Sequence, residues 1–444
     1  MAKPLNILYI SHYFPPEVNA PAARVSEMSS RWVRKGARVT VLTGFPNHPT
    51  GIIPEKYRGL KRRVEAYDGV KVVRTWMYAA ANKGFVKRIL NYLSFMFSAI
   101  VLGSGKVGKP DIIVATSPQF FVAVAGYVIS RIKRCKFVFE IRDLWPEEIV
   151  AVGAIRNRLL IRMLEATEMF LYRRADLLVP VAQGTIDILE KRGIPRDKMV
   201  LVQNGVSLDE FSRIGRGETI RQELGLEDKF VVGYVGTHGM AHRLGTVLRA
   251  ADLLKSRTEI HFLFVGDGAE KKKLMDLAAQ LKLVNVTFHH QVPRDLIAAY
   301  YQACNVCLVP LRKADLFTKN IPSKIYEIMA SRRPIIASTL GESRLLVERS
   351  GAGLGSTPED PDDLSAKILK LRNEPEICRR MGRDGYTFAV ANCSRNRLAD
   401  FYLEALNSVV TGHRVAIDTP TRAKVASRAR KSSTRTEHRH PVSL

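Results

Sequence analysis

A chain of 444 residues is long enough for two domains around a large buried core, and its 46% hydrophobic content is ordinary for a globular protein. Its formal net charge of +26 is not ordinary and points to an anionic partner: nucleic acid, phosphorylated small molecules or an acidic membrane surface. The five cysteines are too few for a disulfide framework and fit a reducing cytoplasm, while the most apolar stretch, 89–102, falls short of the roughly 20 residues a bilayer span needs.

In chain order, short β-branched runs alternate with amphipathic helical patterns, the mark of a doubly wound α/β architecture. The chain enters a strand at once, over Asn6 to Ile10, with no signal-peptide pattern before it. A Pro-rich loop (Pro15, Pro16, Pro21) leads to a helix predicted over Ala22 to Arg34. Strands follow over Arg38 to Thr43, Asp111 to Ala115, Lys136 to Glu140 and Asp176 to Val181, all apolar runs of the kind buried on both faces of a parallel sheet. Between them, the 85–102 segment reads as a core helix. A second reading places it in a membrane interface, because Lys83, Lys87 and Arg88 precede its apolar run.

Asn204-Gly205-Val206 marks a hinge within Leu201 to Arg216, and a second series of strands then begins. These are predicted over Phe230 to Val235, Ile260 to Val265, Val286 to Phe288, Val306 to Val309 and Pro334 to Ser338, with helices over Ala269 to Leu281 and Pro293 to Ala303. The expected organisation is a first domain over 1–203, a second over 204–392, a terminal helix over 393–410 crossing back to the first, and a basic disordered tail over 411–444. Cys304 and Cys307 have the spacing of a metal or redox pair, but lie in a strand-like run with no second pair, so they read as core. Asp360-Pro361-Asp362 opens a helical pattern and reads as an N-cap, not a metal site.

The segment Pro322-Ser323-Lys324 to Glu327 carries the first candidate chemistry. Pro322 suits a first helical turn, whose free amides and positive dipole end can hold a diphosphate. Ser323 and Lys324 add donors, and Glu327 one turn on can accept from two ribose hydroxyls. The plain alternative is a surface Lys–Glu pair. Gly236-Thr237-His238-Gly239 and Gly266-Asp267-Gly268 each follow a predicted strand directly. In doubly wound domains ligands bind there, and glycine lets backbone approach them. His242 and Arg243 close the first loop as candidate phosphate contacts.

These segments, with Tyr13-Phe14-Pro15-Pro16-Glu17, Ile141-Arg142-Asp143-Leu144-Trp145-Pro146-Glu147 and Val202-Gln203-Asn204-Gly205-Val206, resemble the retaining glycosyltransferases of family 4. The likeness runs from about Asn6 to Leu406. It implies a GT-B fold, two Rossmann-like domains facing a cleft. The Arg-Asp-Leu-Trp-Pro and Pro-Ser-Lys strings look most like the branch building bacterial surface polysaccharides, including amino-deoxysugar transferases similar to WbuB. The resemblance implies a nucleotide-diphosphate sugar donor, UDP-linked in that branch, with the diphosphate on Ser323 and Lys324 and the ribose on Glu327. It implies a growing glycan acceptor on a polyprenyl diphosphate, and work on the inner face of the plasma membrane. No metal is required under the front-face mechanism usually described for this fold.

Departures from the family pattern sharpen the expectation. The family's first glutamate, which contacts the donor sugar, is replaced by Lys319, followed by Asn320, so sugar recognition differs. Its Arg and Lys after the first strand of the second domain appear as Thr237 and His242 (or Arg243). Its frequent Gly-Gly pair in the acceptor loop is Asn19-Ala20, with Arg24 following. A histidine found in many relatives is Arg142, leaving Asp143 as the nearest group for activating the acceptor; a turn aspartate held by Arg142 is the alternative. Two other functions fit part of the pattern. A GT-B nucleotide-sugar epimerase would share the second domain, and a nucleic-acid binder would use the charge, though no recognition motif supports it.

Overall fold

A computed structural model describes residues 3–412 apart from 18, 49, 81–84, 118, 146–156, 213–214, 315–317 and 319–320. Lys83, Pro146, Glu147, Lys319, Asn320 and the basic tail from 413 on therefore lie outside the described residues. The chain divides into two compact units, Met1–Gln203 with the segment from Asn396 onward, and Asn204–Arg395.

The first unit holds a seven-stranded sheet in the order β3-β4-β2-β1-β5-β6-β7. The strands are β1 Asn6–Ile10, β2 Arg38–Gly44, β3 Arg62–Tyr67, β4 Val70–Thr75, β5 Ile112–Thr116, β6 Lys136–Ile141 and β7 Leu177–Pro180. All neighbours pair parallel except β3, which runs antiparallel to β4. Period-two alternation sends Leu8 and Ile10 to one face, under the helices α2 (Phe85–Ser98), α3 (Phe120–Lys133) and α4 (Arg158–Arg174). Ile7 and Tyr9 go to the other face, under α1 (Ala20–Arg34) and the C-terminal helix Arg395–Thr411. That last helix is fastened to α1: Trp32 Nε1 donates to the Ala399 carbonyl at 2.8 Å, and Arg31 grips Asp400 with two bonds of 2.8 Å.

Two features depart from the sequence reading. The β3–β4 hairpin was not anticipated, because β3 is an exposed edge strand with no apolar alternation. Its signal was the turn Asp68-Gly69, both at positive φ (46° and 78°), the pairing that a two-residue hairpin turn demands. In addition, Asp111 and Asp176 stand just before their strands. Asp111 Oδ2 accepts from the Asn6 amide at 2.8 Å and Asp176 Oδ2 from the Phe137 amide at 2.9 Å, so each carboxylate caps a neighbouring strand's start.

The second unit holds a six-stranded parallel sheet in the order β10-β9-β8-β11-β12-β13. Its strands are β8 Phe230–Val235, β9 Ile260–Val265, β10 Val286–His289, β11 Val306–Leu308, β12 Ile335–Ser338 and β13 Gly353–Ser356. The edge strand β13 (Gly-Leu-Gly-Ser) is too short and glycine-rich to be read from pattern. Cys304 and Cys307 are buried at the entry to β11. Asp360 caps the helix Pro361–Asn373, accepting from the amides of Asp362 and Asp363 at 3.1 and 3.0 Å.

Candidate active site

In the second unit, the loops leaving β8 and β9 lie backbone on backbone. Gly236 sits at φ 144° and Gly266 at φ 139°. A Cβ on Gly266 would come within 2.1 Å of the Gly236 carbonyl, and one on Gly236 within 2.5 Å of Lys324 Nζ. Only glycine fits either place, and the space saved brings Lys324 to the carboxyl end of β8. Its ammonium nitrogen is buried, has no hydrogen-bond partner, and lies 4.0 Å from the centre of the Tyr234 ring. The Tyr234 hydroxyl is turned away, donating to the Thr237 carbonyl at 2.7 Å. Burial pulls the Lys324 pKa down to about 8, against the pull of Glu327 in the other direction.

Lys324 opens the short helix Lys324–Ala330, with Ser323 at its N-cap in helical conformation. Pro322 therefore stands one residue before the cap, not inside the first turn. Its carbonyl accepts from the Ile325 amide at 3.0 Å, and the Ser323 carbonyl accepts from the Tyr326 amide at 3.1 Å. Glu327 is buried at 8% exposure. The Tyr301 hydroxyl donates to its Oε2 at 3.3 Å, and Arg294 Nη1 stands 3.9 Å from its Oε1. The carboxylate is thus held in place from one side by a phenol, which fixes its direction.

His242 and Arg243 need correction. Burial, with Lys324 adding to it, lowers His242 to about 4, so it is neutral at pH 7 and supplies no cation. Its Nδ1 faces the Pro310 carbonyl at 3.4 Å. Arg243 takes a left-handed backbone (φ 45°) and turns toward Glu359, with Nε 3.6 Å from the carboxylate. Thr237 is exposed on the loop. Sequence reasoning passed over His238, whose ring is fully buried against Phe264 and Phe288 with neither nitrogen partnered. Burial, then Lys271, lowers it to about 4 as well. Two neutral imidazoles and one unpaired ammonium therefore gather at the end of β8, and Lys324 is the cation among them.

In the first unit, Asp143 follows β6 by two residues. The amides of Arg142 and Asp143 both donate to Ser117 Oγ, at 2.7 and 3.3 Å, which ties the loop after β6 to the loop after β5. Burial raises the Asp143 carboxyl, with Arg142 opposing. Arg142 is pulled down by burial and by Arg24, and its Nη1 is buried without a partner.

The residues assigned to the acceptor loop behave differently from one another. Asn19 caps α1, its Oδ1 accepting from the Ala22 amide at 2.9 Å, while its Nδ2 is buried and unpartnered. Ala20 is exposed at the first position of α1. Arg24 is 2% exposed, and its guanidinium is committed to the protein. Nε and Nη2 donate to Glu140 Oε2 at 3.2 and 3.1 Å, Nη1 to the Gln203 carbonyl at 2.7 Å and Nη2 to the Val202 carbonyl at 2.9 Å. Instead of facing an acceptor, Arg24 stitches α1 to β6 and to the chain's exit from this unit. Among the described residues, no three His, Cys, Asp or Glu side chains converge as a metal site.

Comparison with known families bears on both units. Residues 19–205 match the glycosyl transferase 4-like domain, and residues 217–388 match glycosyl transferases group 1. The chain thus carries two glycosyl transferase domains, one in each unit. A curated relative, the D-inositol 3-phosphate glycosyltransferase of Thermomonospora curvata, is 26% identical over 256 residues, covering 53% of this chain and 58% of the relative. The chain thus spans little more than half the length of that relative. Among solved structures, sucrose-phosphate synthase from Thermosynechococcus elongatus aligns with a TM-score of 0.73 at 18% identity, over 92% of this chain and all of the other. HepE of Anabaena, solved with UDP-glucose, aligns with a TM-score of 0.67 at 16% identity, over 91% of this chain and 100% of the other. The fold of the chain is therefore GT-B, with a Rossmann-like sheet in each unit.

Proposed function

We propose that the chain is a retaining glycosyltransferase that moves a sugar from a UDP-sugar to a growing, polyprenyl-diphosphate-linked glycan in bacterial surface polysaccharide synthesis. The observation that carries the donor half is the buried, unpartnered Lys324 ammonium at the end of β8, one turn ahead of Glu327. A buried ammonium with no hydrogen-bond partner is costly, and a diphosphate supplies two negative groups at that place. The UDP-glucose complex of HepE supports UDP as the carrier.

In the reaction, an acceptor hydroxyl oxygen bonds to the sugar's anomeric carbon from the face the diphosphate leaves. The bond from that carbon to the phosphate oxygen breaks, and the hydroxyl proton passes to the departing diphosphate. The anomeric configuration is retained. The Lys324 ammonium, the Ser323 hydroxyl and the amides of Ser323 and Lys324 stabilise the charge that builds on the leaving group. Glu327 accepts from the ribose hydroxyls. Asp143 orients the acceptor hydroxyl by accepting its hydrogen bond before the proton passes to the diphosphate. With Lys319 in place of the family's sugar-contacting glutamate, recognition of the donor sugar's hydroxyls departs from the family pattern, an amino-deoxysugar being the branch expectation.

A thermal-shift screen of UDP- and GDP-sugars tests the reading, and stabilisation by none of them would sink it. Glu327→Ala gives a finer test: loss of two ribose hydrogen bonds should weaken UDP binding roughly tenfold to a hundredfold in calorimetry. Unchanged affinity would take Glu327 out of the ribose role.

A further inference from the structure

Twenty large hydrophobic side chains are exposed among the described residues, and eight of them lie on one layer of the first unit, the outer surface of α2, α3, α4 and the turn 99–103 that extends α2. Single exposed apolar residues are ordinary, but a concentration of this kind marks an interaction surface. The spacing shows that the stripes are built in. Leu159, Met163 and Phe170 recur at intervals of four and seven along α4, and Leu90 and Phe97 at seven along α2, so each set shares one helical face. Phe97 is 60% exposed, Val101 73%, Leu159 68% and Met163 59%. The inner faces of the same helices are anchored in the core through Phe95, Ile129 and Leu171.

Charge decides what such a face fits. Across α2, α3 and α4 there are eight Lys or Arg against Glu165 and Glu168. Glu168 is buried and bonded to the Tyr172 hydroxyl and to Arg192, so Glu165 is the exposed carboxylate of the layer. A nucleic acid would use the cations but has no place for stripes of Leu, Met and Phe. A second copy of the chain would set like charge against like charge across a two-fold interface. An anionic bilayer takes both features, with apolar side chains entering at the acyl boundary and cations meeting lipid phosphates.

We propose that the outer layer of α2, α3 and α4 seats the first unit on an anionic lipid surface. The inference rests on the lipid-linked acceptor proposed above, and it names the surface that meets the lipid.

The test is flotation of the full chain with phosphatidylcholine vesicles, with and without an equal share of phosphatidylglycerol. The chain is expected to float with the anionic vesicles and not with phosphatidylcholine alone. The double variant Phe97→Glu/Met163→Glu should lose at least about tenfold in bound fraction. Arg158→Gln/Arg162→Gln should lose roughly tenfold and weaken the salt dependence. These positions are exposed, and UDP affinity measured in parallel reports on the other unit. Loss of UDP binding in every form, wild type included, would strike the donor reading and leave the surface untouched. The proposal is overturned if the wild type stays with the pellet, if Phe97→Glu/Met163→Glu floats like the wild type, or if that variant instead converts a dimer to a monomer in sedimentation.

Discussion

Lys324→Met should lower kcat/KM by about a hundredfold to a thousandfold while raising the thermal stability of the free protein. The two halves of this expectation have one cause. The ammonium is buried with no hydrogen-bond partner, and the drop in its pKa from 10.5 to about 8 corresponds to roughly 3 kcal/mol of unfavourable burial of charge. Methionine removes that cost and fills similar space against Tyr234, so the free variant should melt higher. The diphosphate loses its buried counter-ion at the same time. The pH dependence has a definite sign. Between about 8 and 10.5 the unfolded chain holds this proton and the folded chain releases it, so the cost is fully present below pH 8 and is relieved as pH rises through that window. UDP affinity should run the opposite way, weakening above pH 8 as the cation is lost. Lys324→Met should flatten both profiles. Scanning calorimetry and UDP titration across pH 7 to 10 measure the pair, and an unaltered UDP affinity in the variant would remove Lys324 from the donor site.

Arg24→Met should destabilise the first unit by about 3 to 5 kcal/mol, seen as a lower melting temperature. The substitution strands Glu140, which is fully buried between Tyr9, Thr116 and Arg24. Burial alone would push the Glu140 carboxyl up, but Arg24 and Arg142 more than offset it and hold it below its ordinary value. The stability it contributes is therefore present above the unfolded value of 4.5 and lost as pH falls through the depressed folded value. In Arg24→Met that relation should reverse, because a buried carboxylate that has lost its hydrogen-bonded ion-pair partner prefers its proton. Arg24→Met/Glu140→Leu should recover much of the loss, since a pair replaced by apolar groups costs far less than half a pair. A double variant no more stable than Arg24→Met would show that Arg24 acts through the Val202 and Gln203 carbonyls and not through Glu140.

Much of the fold was legible because parallel strands are buried on both faces and read as unbroken apolar runs. Phe230–Val235 and Ile260–Val265 have the bounds their composition suggests. The β3 edge strand escaped because its residues face solvent and carry no alternation. The glycine loops after β8 and β9 and the Pro-Ser-Lys segment also stood out, because backbone approach and helix starts have residue signatures of their own.

What the amino-acid order determined by itself, then, is two βα series and the glycosyl transferase domains they resemble, and it singled out the segments proposed to meet a nucleotide. It could not say which of the candidate basic side chains are charged and which are already engaged by carboxylates of the protein. His242 looked like a phosphate cation and is held neutral; Arg243 turns to Glu359; Arg24 is spent on Glu140. Charge state depends on burial and on partners distant in sequence, as Glu140 is from Arg24 by 116 residues. Only the tertiary structure supplies those, and it leaves Lys324 as the buried cation without a partner at the end of β8.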